Sequence, residues 1–202
     1  MKIITTTISG LFLIEPKIFR DERGFFFESF NKNLFSQKTG IVSSFVQDNH
    51  SHSVQGVLRG LHYQVEKPQG KLVRVICGKI FDVVLDLRLG SSTFGKWEGF
   101  ELSEENRYQL WIPSGFAHGF LVLSQSADVL YKTTDYYAPE YERTIRWNDP
   151  TLSVTWPQGY AVQLSEKDKK GITFEEAIVQ KITMEKMEVC SDGGNITSLH
   201  KK

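Results

Sequence analysis

The chain alternates short apolar segments with turn-forming residues, a pattern that predicts strands rather than long helices. Segments rich in β-branched and aromatic residues recur at intervals of roughly ten residues, with Gly, Pro, Asn and Ser between them. These segments are LFLIEPKIF, VLRGLHYQ, KLVRVICG, IFDVVLDLR, WEGFEL, YQLWIP, FAHGFLVL and DVLYKTTD. Short strands at this spacing are typical of an antiparallel sandwich or barrel. The sequence therefore predicts an all-β protein, mainly β with a few short helices.

Two short helices and one domain boundary complete the predicted organisation. FNKNLFSQKTG, residues 30–40, predicts a helix that Gly40 ends as a C-cap, and SEKDKKG predicts a second near residues 165–171. From about Val179 the chain becomes polar and irregular. We predict one domain over residues 1–178 and a C-terminal appendage of uncertain order over residues 179–202, which suits a chain of 202 residues.

The charge balance and cysteine content exclude several classes of protein. Lys plus Arg equals Asp plus Glu, at 24 each, so no basic field predicts nucleic-acid or anionic-membrane binding. No stretch approaches a membrane span, and the N-terminus has no apolar core long enough for a signal peptide. Two cysteines make no disulfide framework, and Cys77, in the apolar run LVRVIC, is predicted to be a buried thiol. We predict a cytoplasmic protein with no nucleic-acid or membrane partner.

Two segments place polar residues where the interior of a barrel is expected. They are GVLRGLHYQ, residues 56–64, and IPSGFAHGF, residues 112–120, which carries His118. Strand alternation puts His62 and Gln64 on one face of the first segment, and Arg59 and Tyr63 on the other. Together the two segments resemble the paired motifs of the cupin superfamily. That resemblance implies a double-stranded β-helix, or jelly roll.

The cupin-like motifs lack the ligands of a metal site. Metal-binding cupins need His-x-His, a nearby acid and a further His on the second motif, whereas only His62 and His118 are present here. Gln64 stands where the second His belongs, and a neutral amide is a poor ligand for a transition metal. Lys71 nearby would repel a cation. We therefore predict no metal, and a metal-dependent cupin isomerase or oxygenase is the disfavoured alternative.

The sequence closely resembles the dTDP-4-dehydrorhamnose 3,5-epimerase family from about Leu11 to Ile178. The matching stretches, in order, are DERGFFFESF, FVQDNHS, GVLRGLHYQ, PQGKLVRV, FDVVLDLR, FGKWEGFELS, LWIPSGFAHGF, YKTTDYYAPEYER, IRWNDP and LSEKD. The chain departs at His52, where the family usually has Arg, and in a longer C-terminal tail. The resemblance implies an isomerase of dTDP-L-rhamnose biosynthesis that inverts C3 and C5 of dTDP-4-dehydro-6-deoxy-D-glucose to give dTDP-4-dehydro-L-rhamnose.

The implied reaction needs a base, an acid and a group that stabilises an enolate. A proton next to a ketone is acidic because the resulting carbanion delocalises onto the oxygen, so the substrate is its own electron sink and we predict no cofactor. The resemblance assigns His62 as the base, Asp168 as its orienting carboxylate and Tyr131 as the acid on the opposite face. Lys71 is the candidate for stabilising the enolate oxygen. Alternation further suggests that Asp82 faces the same interior and pairs with Lys71.

The resemblance also implies a set of substrate-binding residues and a dimer. Arginine suits a diphosphate because its planar guanidinium can bind two oxygens at once. In the family, the N-terminal segment reaches into the neighbouring subunit's site, which implies a homodimer with composite active sites. The positions that match family ligands are Arg23, Glu28, Gln47, Asn49, Arg59, His118, Glu142 and Lys167, with Phe26 and Tyr137 as candidates for stacking on thymine.

Two alternatives keep the same residues. One is an epimerase that acts only at C3 or only at C5 of another nucleotide-linked 4-keto sugar. The other is a non-catalytic cupin that only binds a nucleotide sugar. The first would keep the same base and acid, so the motifs leave it open. The second is disfavoured, because a non-catalytic homologue usually loses the base or the acid, whereas His62, Tyr131 and Lys71 are all present.

Overall fold

The computed structural model describes residues 1–42 and 44–182, in which antiparallel strands form two sheets and a separate hairpin. In spatial order the first sheet contains β1 (Lys2–Thr5), β2 (Phe12–Glu15), β10 (Gln109–Ile112), β7 (Lys71–Cys77), β12 (Ser126–Thr133) and β5 (Gln47–Val54). The second contains β13 (Glu142–Thr144), β6 (Leu58–Gln64), β11 (Phe116–Val122), β8 (Lys79–Asp86) and β9 (Trp97–Ser103). Strands β3 (Phe19–Asp21) and β4 (Gly24–Phe26) form the hairpin. The all-β prediction is confirmed.

The two predicted helices are present, and each has a side-chain cap. Helix α1 (Lys32–Thr39) begins after Asn31, whose side chain accepts a hydrogen bond from the Leu34 N–H, and ends at Gly40 with φ 74°. Helix α2 (Glu166–Lys169) begins after Ser165, whose Oγ accepts from the Asp168 N–H. A further helix over residues 174–182 was not predicted. The predicted appendage begins inside this helix, and residues 183–202 lie outside the described residues.

Apolar side chains bury both faces of the five-stranded sheet. Between the sheets, Val73 and Val129 of the first sheet pack with Val84 of the second. On the far face, Leu61 and Leu85 pack against the C-terminal region, including Trp156 and Phe174. Full burial of each such side chain contributes about 1.5–3 kcal/mol. Strand β6 is thereby anchored through its apolar residues to the core on the far face. No helix among residues 1–42 and 44–182 is long and apolar enough to cross a membrane.

A bulge in β6 changes which side chains share a face. Across β6 and β11, His62 lies opposite His118 and Arg59 lies opposite Phe120, so three steps on one strand match two on the other. Arg59 and His62 consequently line the same cavity. The prediction that they lie on opposite faces is wrong because the bulge breaks the alternation.

Cys77 is exposed, so the prediction of a buried thiol is also wrong. Alternation from Val73 and Val75 would turn Cys77 inward. The pairing of β7 with β12 shifts register between Asp128 and Val129, directly beside Cys77. The end of β7 is thereby turned towards solvent.

Replacing Gly60 with alanine should strongly destabilise the protein. Gly60 has φ 120°, and an added Cβ would lie 2.6 Å from the Gly119 Cα and 2.8 Å from the His118 carbonyl oxygen. The clash and the strained backbone should lower the free energy of unfolding by about 2 kcal/mol or more, measured by urea denaturation. Gly90→Ala is the control, since nothing lies within 4 Å of its Cβ position. Equal stability of the two variants would contradict a close approach of β6 and β11.

Candidate active site

One cavity between the sheets brings most of the predicted site residues together. It has a volume of about 300 Å³. Its walls come from strands of both sheets, including β13, and from α2. The predicted residues that line it are Gln47, Asn49, Arg59, His62, Lys71, His118, Tyr131, Tyr137, Glu142 and Lys167. Its ionised side chains are mainly cationic, as an anionic ligand requires.

His62 forms a hydrogen-bonded pair with Asp168 at the wall of this cavity. His62 Nε2 lies 2.5 Å from Asp168 Oδ1, and the carboxylate is only 3% exposed. Ser165 Oγ donates to the other carboxylate oxygen at 2.7 Å. Burial alone would raise the pKa of Asp168, but the hydrogen bonds from His62 and Ser165 outweigh it and hold the pKa below its usual value. Asp168 is therefore a fixed negative charge that orients the imidazole and leaves Nδ1 free to take a proton.

Tyr131 lines the same cavity from β12, on the sheet facing that of His62. Burial raises the pKa of its phenol, and the charge of Glu142 raises it further, while Arg59 acts in the opposite sense. The group stays protonated at neutral pH. Tyr131 can therefore donate a hydrogen bond or supply a proton to a ligand between the two sheets.

Lys71 is a buried cation at the start of β7. Burial lowers its pKa to about 8, although the charges of Asp82 and Glu142 raise it and Lys167 lowers it. Lys71 and Asp82 form no ion pair within 4.0 Å among the described residues, so the predicted pairing is limited to a longer-range attraction between their charges. The hydrogen-bond partner of Asp82, however, is His118 Nε2, at 2.8 Å.

Glu142 holds other side chains of the cavity wall in place through hydrogen bonds. Its Oε2 accepts hydrogen bonds from the Tyr137 hydroxyl and from Lys167 Nζ, both at 2.8 Å. Gln47 Oε1 accepts from the Tyr137 N–H at 3.0 Å, and Gln47 Nε2 donates to Asn49 Oδ1 at 2.8 Å. The bond to Glu142 raises the pKa of Tyr137 to about 12. This wall presents a ring, a carboxylate and a cation in a fixed arrangement.

Three predicted residues lie away from the cavity of their own chain. Arg23 and Phe26 are on or beside the β3–β4 hairpin, where Arg23 pairs with Asp21 at 2.6 Å and Phe26 is 68% exposed. Glu28 follows the hairpin and accepts a hydrogen bond from Asn31 Nδ2. None of the three lines the cavity.

The sequence analysis missed four residues that line the cavity. Ser51 could have been found, because it follows Gln47 and Asn49 at the period of two expected for one face of a strand. Gln69 lies outside the strands, where no periodicity marks it, and its Nε2 donates to the Asp135 carbonyl at 2.9 Å. Gly119 and Phe120 complete the set beside His118.

The histidines of the cavity are not arranged as metal ligands. In the part of the chain that the structure describes, no group of three or more His, Cys, Asp and Glu side chains could hold a metal ion. His62 and His118 each bind a separate carboxylate through Nε2. The donor set thus consists of two separate histidine–carboxylate pairs.

Replacing Glu142 with glutamine should lower the pKa of Tyr137. The carboxylate disfavours the phenolate, so a neutral amide removes the main cause of the raised value near 12. Spectrophotometric titration of the tyrosine phenols measures this change in pKa. The signal that is absent in Tyr137→Phe identifies Tyr137. Glu140→Gln is the matched control, because Glu140 contributes the smallest of the charge effects on Tyr137. An unchanged titration in Glu142→Gln would show that the Tyr137–Glu142 contact does not exist in solution.

The chain matches a known enzyme family over most of its length. A sequence model described as "dTDP-4-dehydrorhamnose 3,5-epimerase" matches residues 5–176. A protein of that name from Pseudomonas aeruginosa is 58% identical over 177 residues, which are 88% of this chain and 98% of the relative.

Solved structures share the fold at high similarity. A Legionella pneumophila dTDP-6-deoxy-D-glucose-3,5-epimerase, in complex with dTDP-4-keto-L-rhamnose, superposes with a TM-score of 0.87 and 54% identity, covering 89% of this chain and 96% of that one. A 3'-monoepimerase from Streptomyces bikiniensis, in complex with dTDP-quinovose, gives a TM-score of 0.80 at 30% identity, covering 91% and 96%. The cupin-type jelly roll predicted from the sequence is confirmed by this likeness.

Proposed function

Because the chain belongs to the dTDP-4-dehydrorhamnose 3,5-epimerase family, we propose that it inverts C3 and C5 of dTDP-4-dehydro-6-deoxy-D-glucose. The product is dTDP-4-dehydro-L-rhamnose, and the step belongs to dTDP-L-rhamnose biosynthesis. The observation that carries this proposal is the placement of His62, backed by Asp168, in one cavity with Tyr131 and Lys71. A base, an acid and a cation converge there on the space for one sugar.

His62 acts as the base. Nδ1 removes the proton from the carbon next to the ketone, the electrons of the C–H bond form the C=C bond, and the ketone oxygen becomes the enolate oxygen. Asp168 stabilises the resulting imidazolium because its buried carboxylate accepts from Nε2. The same base serves C3 and then C5 once the sugar ring changes its conformation.

Tyr131 returns a proton to the opposite face of the planar carbon, which inverts its configuration. The phenol gives its proton as the enolate electrons move back to carbon, and the ketone forms again. Arg59, whose charge lowers the Tyr131 pKa, favours the transient phenolate. Exchange with water then restores the phenol and removes the proton from His62.

Lys71 stabilises the negative charge that develops on the ketone oxygen. An ammonium group in a buried site interacts more strongly with an enolate than it would in water, because little solvent screens the two charges. Its pKa of about 8 keeps most of it protonated at pH 7. Above pH 8 the cation is progressively lost, and the rate should fall with it.

The remaining residues bind the nucleotide. Arg59 and Lys167 supply positive charge for the diphosphate, and the Tyr137 ring offers a face on which thymine can stack. Gln47, Asn49 and Glu142 provide hydrogen-bonding groups for the base and the sugars, and His118 contacts the sugar.

The hairpin that carries Arg23 and Phe26 completes the site of a neighbouring subunit in a homodimer. Its aromatic residues Phe19, Phe25 and Phe26 are all more than half exposed, as a segment that packs on a second copy requires. Arg23 then adds a cation to the neighbouring diphosphate site, and Glu28 adds a carboxylate. Composite sites of this kind make the dimer the active form.

The reaction requires neither metal nor cofactor, since the ketone delocalises the electrons and Lys71 supplies the positive charge. The donor set at His62 and His118 supports this part of the proposal. The cytoplasmic location stays a prediction from the sequence.

Inversion of a single carbon is the second candidate. The Streptomyces bikiniensis 3'-monoepimerase shares the fold over 91% of this chain. A single-carbon enzyme could use the same base and acid, and would differ in whether the bound sugar ring can change its conformation between steps.

Deuterium incorporation tests the proposal and separates the two candidates. In heavy water the enzyme should place deuterium at both C3 and C5 of dTDP-4-dehydro-6-deoxyglucose, located by NMR. His62→Ala should lower kcat by about a hundredfold or more while the nucleotide sugar still binds, because a general base acts in the transition state. His50→Ala is the control, since His50 lies on the outer face of β5 and contacts Asp128.

Label at one carbon would favour the single-carbon epimerase, and no label would reject the substrate. Loss of binding together with turnover in His62→Ala would make that residue structural. Excess chelator should leave the incorporation unchanged, and inhibition that added metal reverses would reject metal independence.

Mixed dimers test the composite sites. Arg23→Ala and His62→Ala should each be nearly inactive alone. Co-expression should restore roughly a quarter of the wild-type activity, because half of the randomly paired dimers contain one site with both residues intact. The control pairs Lys167→Ala with His62→Ala, since both residues line the cavity of one subunit and no intact site can form. Absence of recovery in the first mixture would place Arg23 in its own subunit's site.

A further inference from the structure

A second histidine–carboxylate pair lies beside the first, and no role has been assigned to its carboxylate. His118 is directly opposite His62 across β11 and β6. Its Nε2 lies 2.8 Å from Asp82 Oδ2, as the Nε2 of His62 lies against Asp168. Asp82 is completely buried on β8 and does not line the cavity, whereas His118 does. Asp82 can therefore affect a ligand only through its neighbours.

The contact with Asp82 fixes which nitrogen of His118 faces a ligand. An ionised Asp82 accepts a hydrogen bond, so Nε2 of His118 must carry the proton. In the neutral ring Nδ1 is then unprotonated, and it is the nitrogen left to accept a hydrogen bond from a substrate hydroxyl. A protonated Asp82 would donate to Nε2 and turn Nδ1 into a donor.

The Lys71 ammonium acts on Asp82 through its charge, without a direct hydrogen bond to it among the described residues. Burial raises the pKa of Asp82, and the charges of His118 and Lys71 act against that rise. Asp82 Oδ1 has no hydrogen-bond partner in the described part of the chain. A fully buried oxygen without a donor is costly, and a nearby ammonium charge offsets that cost.

We propose that Asp82 is an ionised positioning residue that holds His118 in the Nε2-protonated form. Its negative charge makes Nδ1 of His118 the acceptor nitrogen that the cavity presents to the keto sugar, and the same charge favours the protonated form of Lys71. The catalytic part of this inference rests on the proposed function, while the protonation states of His118 and Lys71 do not.

Removing the charge with Asp82→Asn provides the test. Asparagine has almost the same shape, but its amide can donate or accept, so it neither selects one His118 tautomer nor stabilises a cation. Lys71 should lose its proton at lower pH than in the wild type, and the alkaline limb of the kcat/KM profile should move to lower pH with it. Asp82→Glu, which restores the charge, should return that limb towards the wild-type position.

Other charged and titratable groups surround Lys71 and His118, and they are unchanged in this comparison. They are Arg59 and His62 of β6, Tyr131 of β12, Glu142 of β13 and Lys167 of α2. Because these groups are the same in the wild type and in Asp82→Asn, a difference between the two in the Lys71 titration or the pH profile is due to residue 82.

Asp86→Asn is the matched control. Asp86 is also completely buried on β8, but it binds Arg88, Ser91 and Thr93, and it does not line the cavity. Its substitution should lower stability without moving the pH profile or the Lys71 titration. Equal shifts in Asp82→Asn and Asp86→Asn would reduce the role of Asp82 to general stability and overturn the proposal.

NMR of the free enzyme keeps this test independent of the reaction. Labelled histidine should show the Nε2-protonated tautomer of His118 in the wild type, and labelled lysine should report the Lys71 titration. An Nδ1-protonated His118, or a Lys71 titration that is the same in Asp82→Asn and the wild type, would reject the proposal even if the sugar is epimerised as proposed. A wild-type enzyme that shows the expected tautomer and Lys71 shift but does not label the sugar would reject the function alone.

Discussion

The close approach of β6 and β11 at Gly60 and Gly119 is the constraint on which the site depends. The missing side chains of Gly60 and Gly119 let the two backbones lie so near each other. The extra residue in β6 rotates Arg59 into the cavity that His62 already faces. The guanidinium of Arg59 and the imidazole of His62 thus reach the cavity from one short strand, whose far face packs on an apolar core.

Buried carboxylates arrange the chemistry around that strand. Asp168 and Asp82 are almost inaccessible to water, and each binds the Nε2 of a histidine that reaches the cavity. Burying a charge is unfavourable unless hydrogen bonds and opposite charges compensate it. The two imidazoles supply that compensation and are oriented in return. At the two positions where a metal-binding cupin places histidine ligands, the histidines of this chain therefore bind carboxylates.

Apolar strands could be predicted from the sequence, whereas the polar strand and the bulges could not. Strands such as β8 bury their side chains and show this in their composition. Strand β5 has the sequence QDNHSHSV. One of its faces lines the cavity, through Gln47 and Asn49, and the other is exposed, so the strand shows no alternation of apolar and polar residues. The predicted orientations of Arg59 and Cys77 were wrong because each lies beside a register shift, and a register shift depends on the partner strand as well as on the strand itself. Most of the cavity residues could be predicted from the motifs shared with the family. Which of them lie together in one subunit follows only from the fold.

The two halves of the His62–Asp168 pair are 106 residues apart in the chain. A ribosome therefore completes most of both sheets before it delivers the carboxylate that orients the imidazole. The same C-terminal region supplies Trp156 and Phe174 to the core on the far face of the five-stranded sheet. Synthesis of this last region therefore completes that core and the histidine–carboxylate pair together.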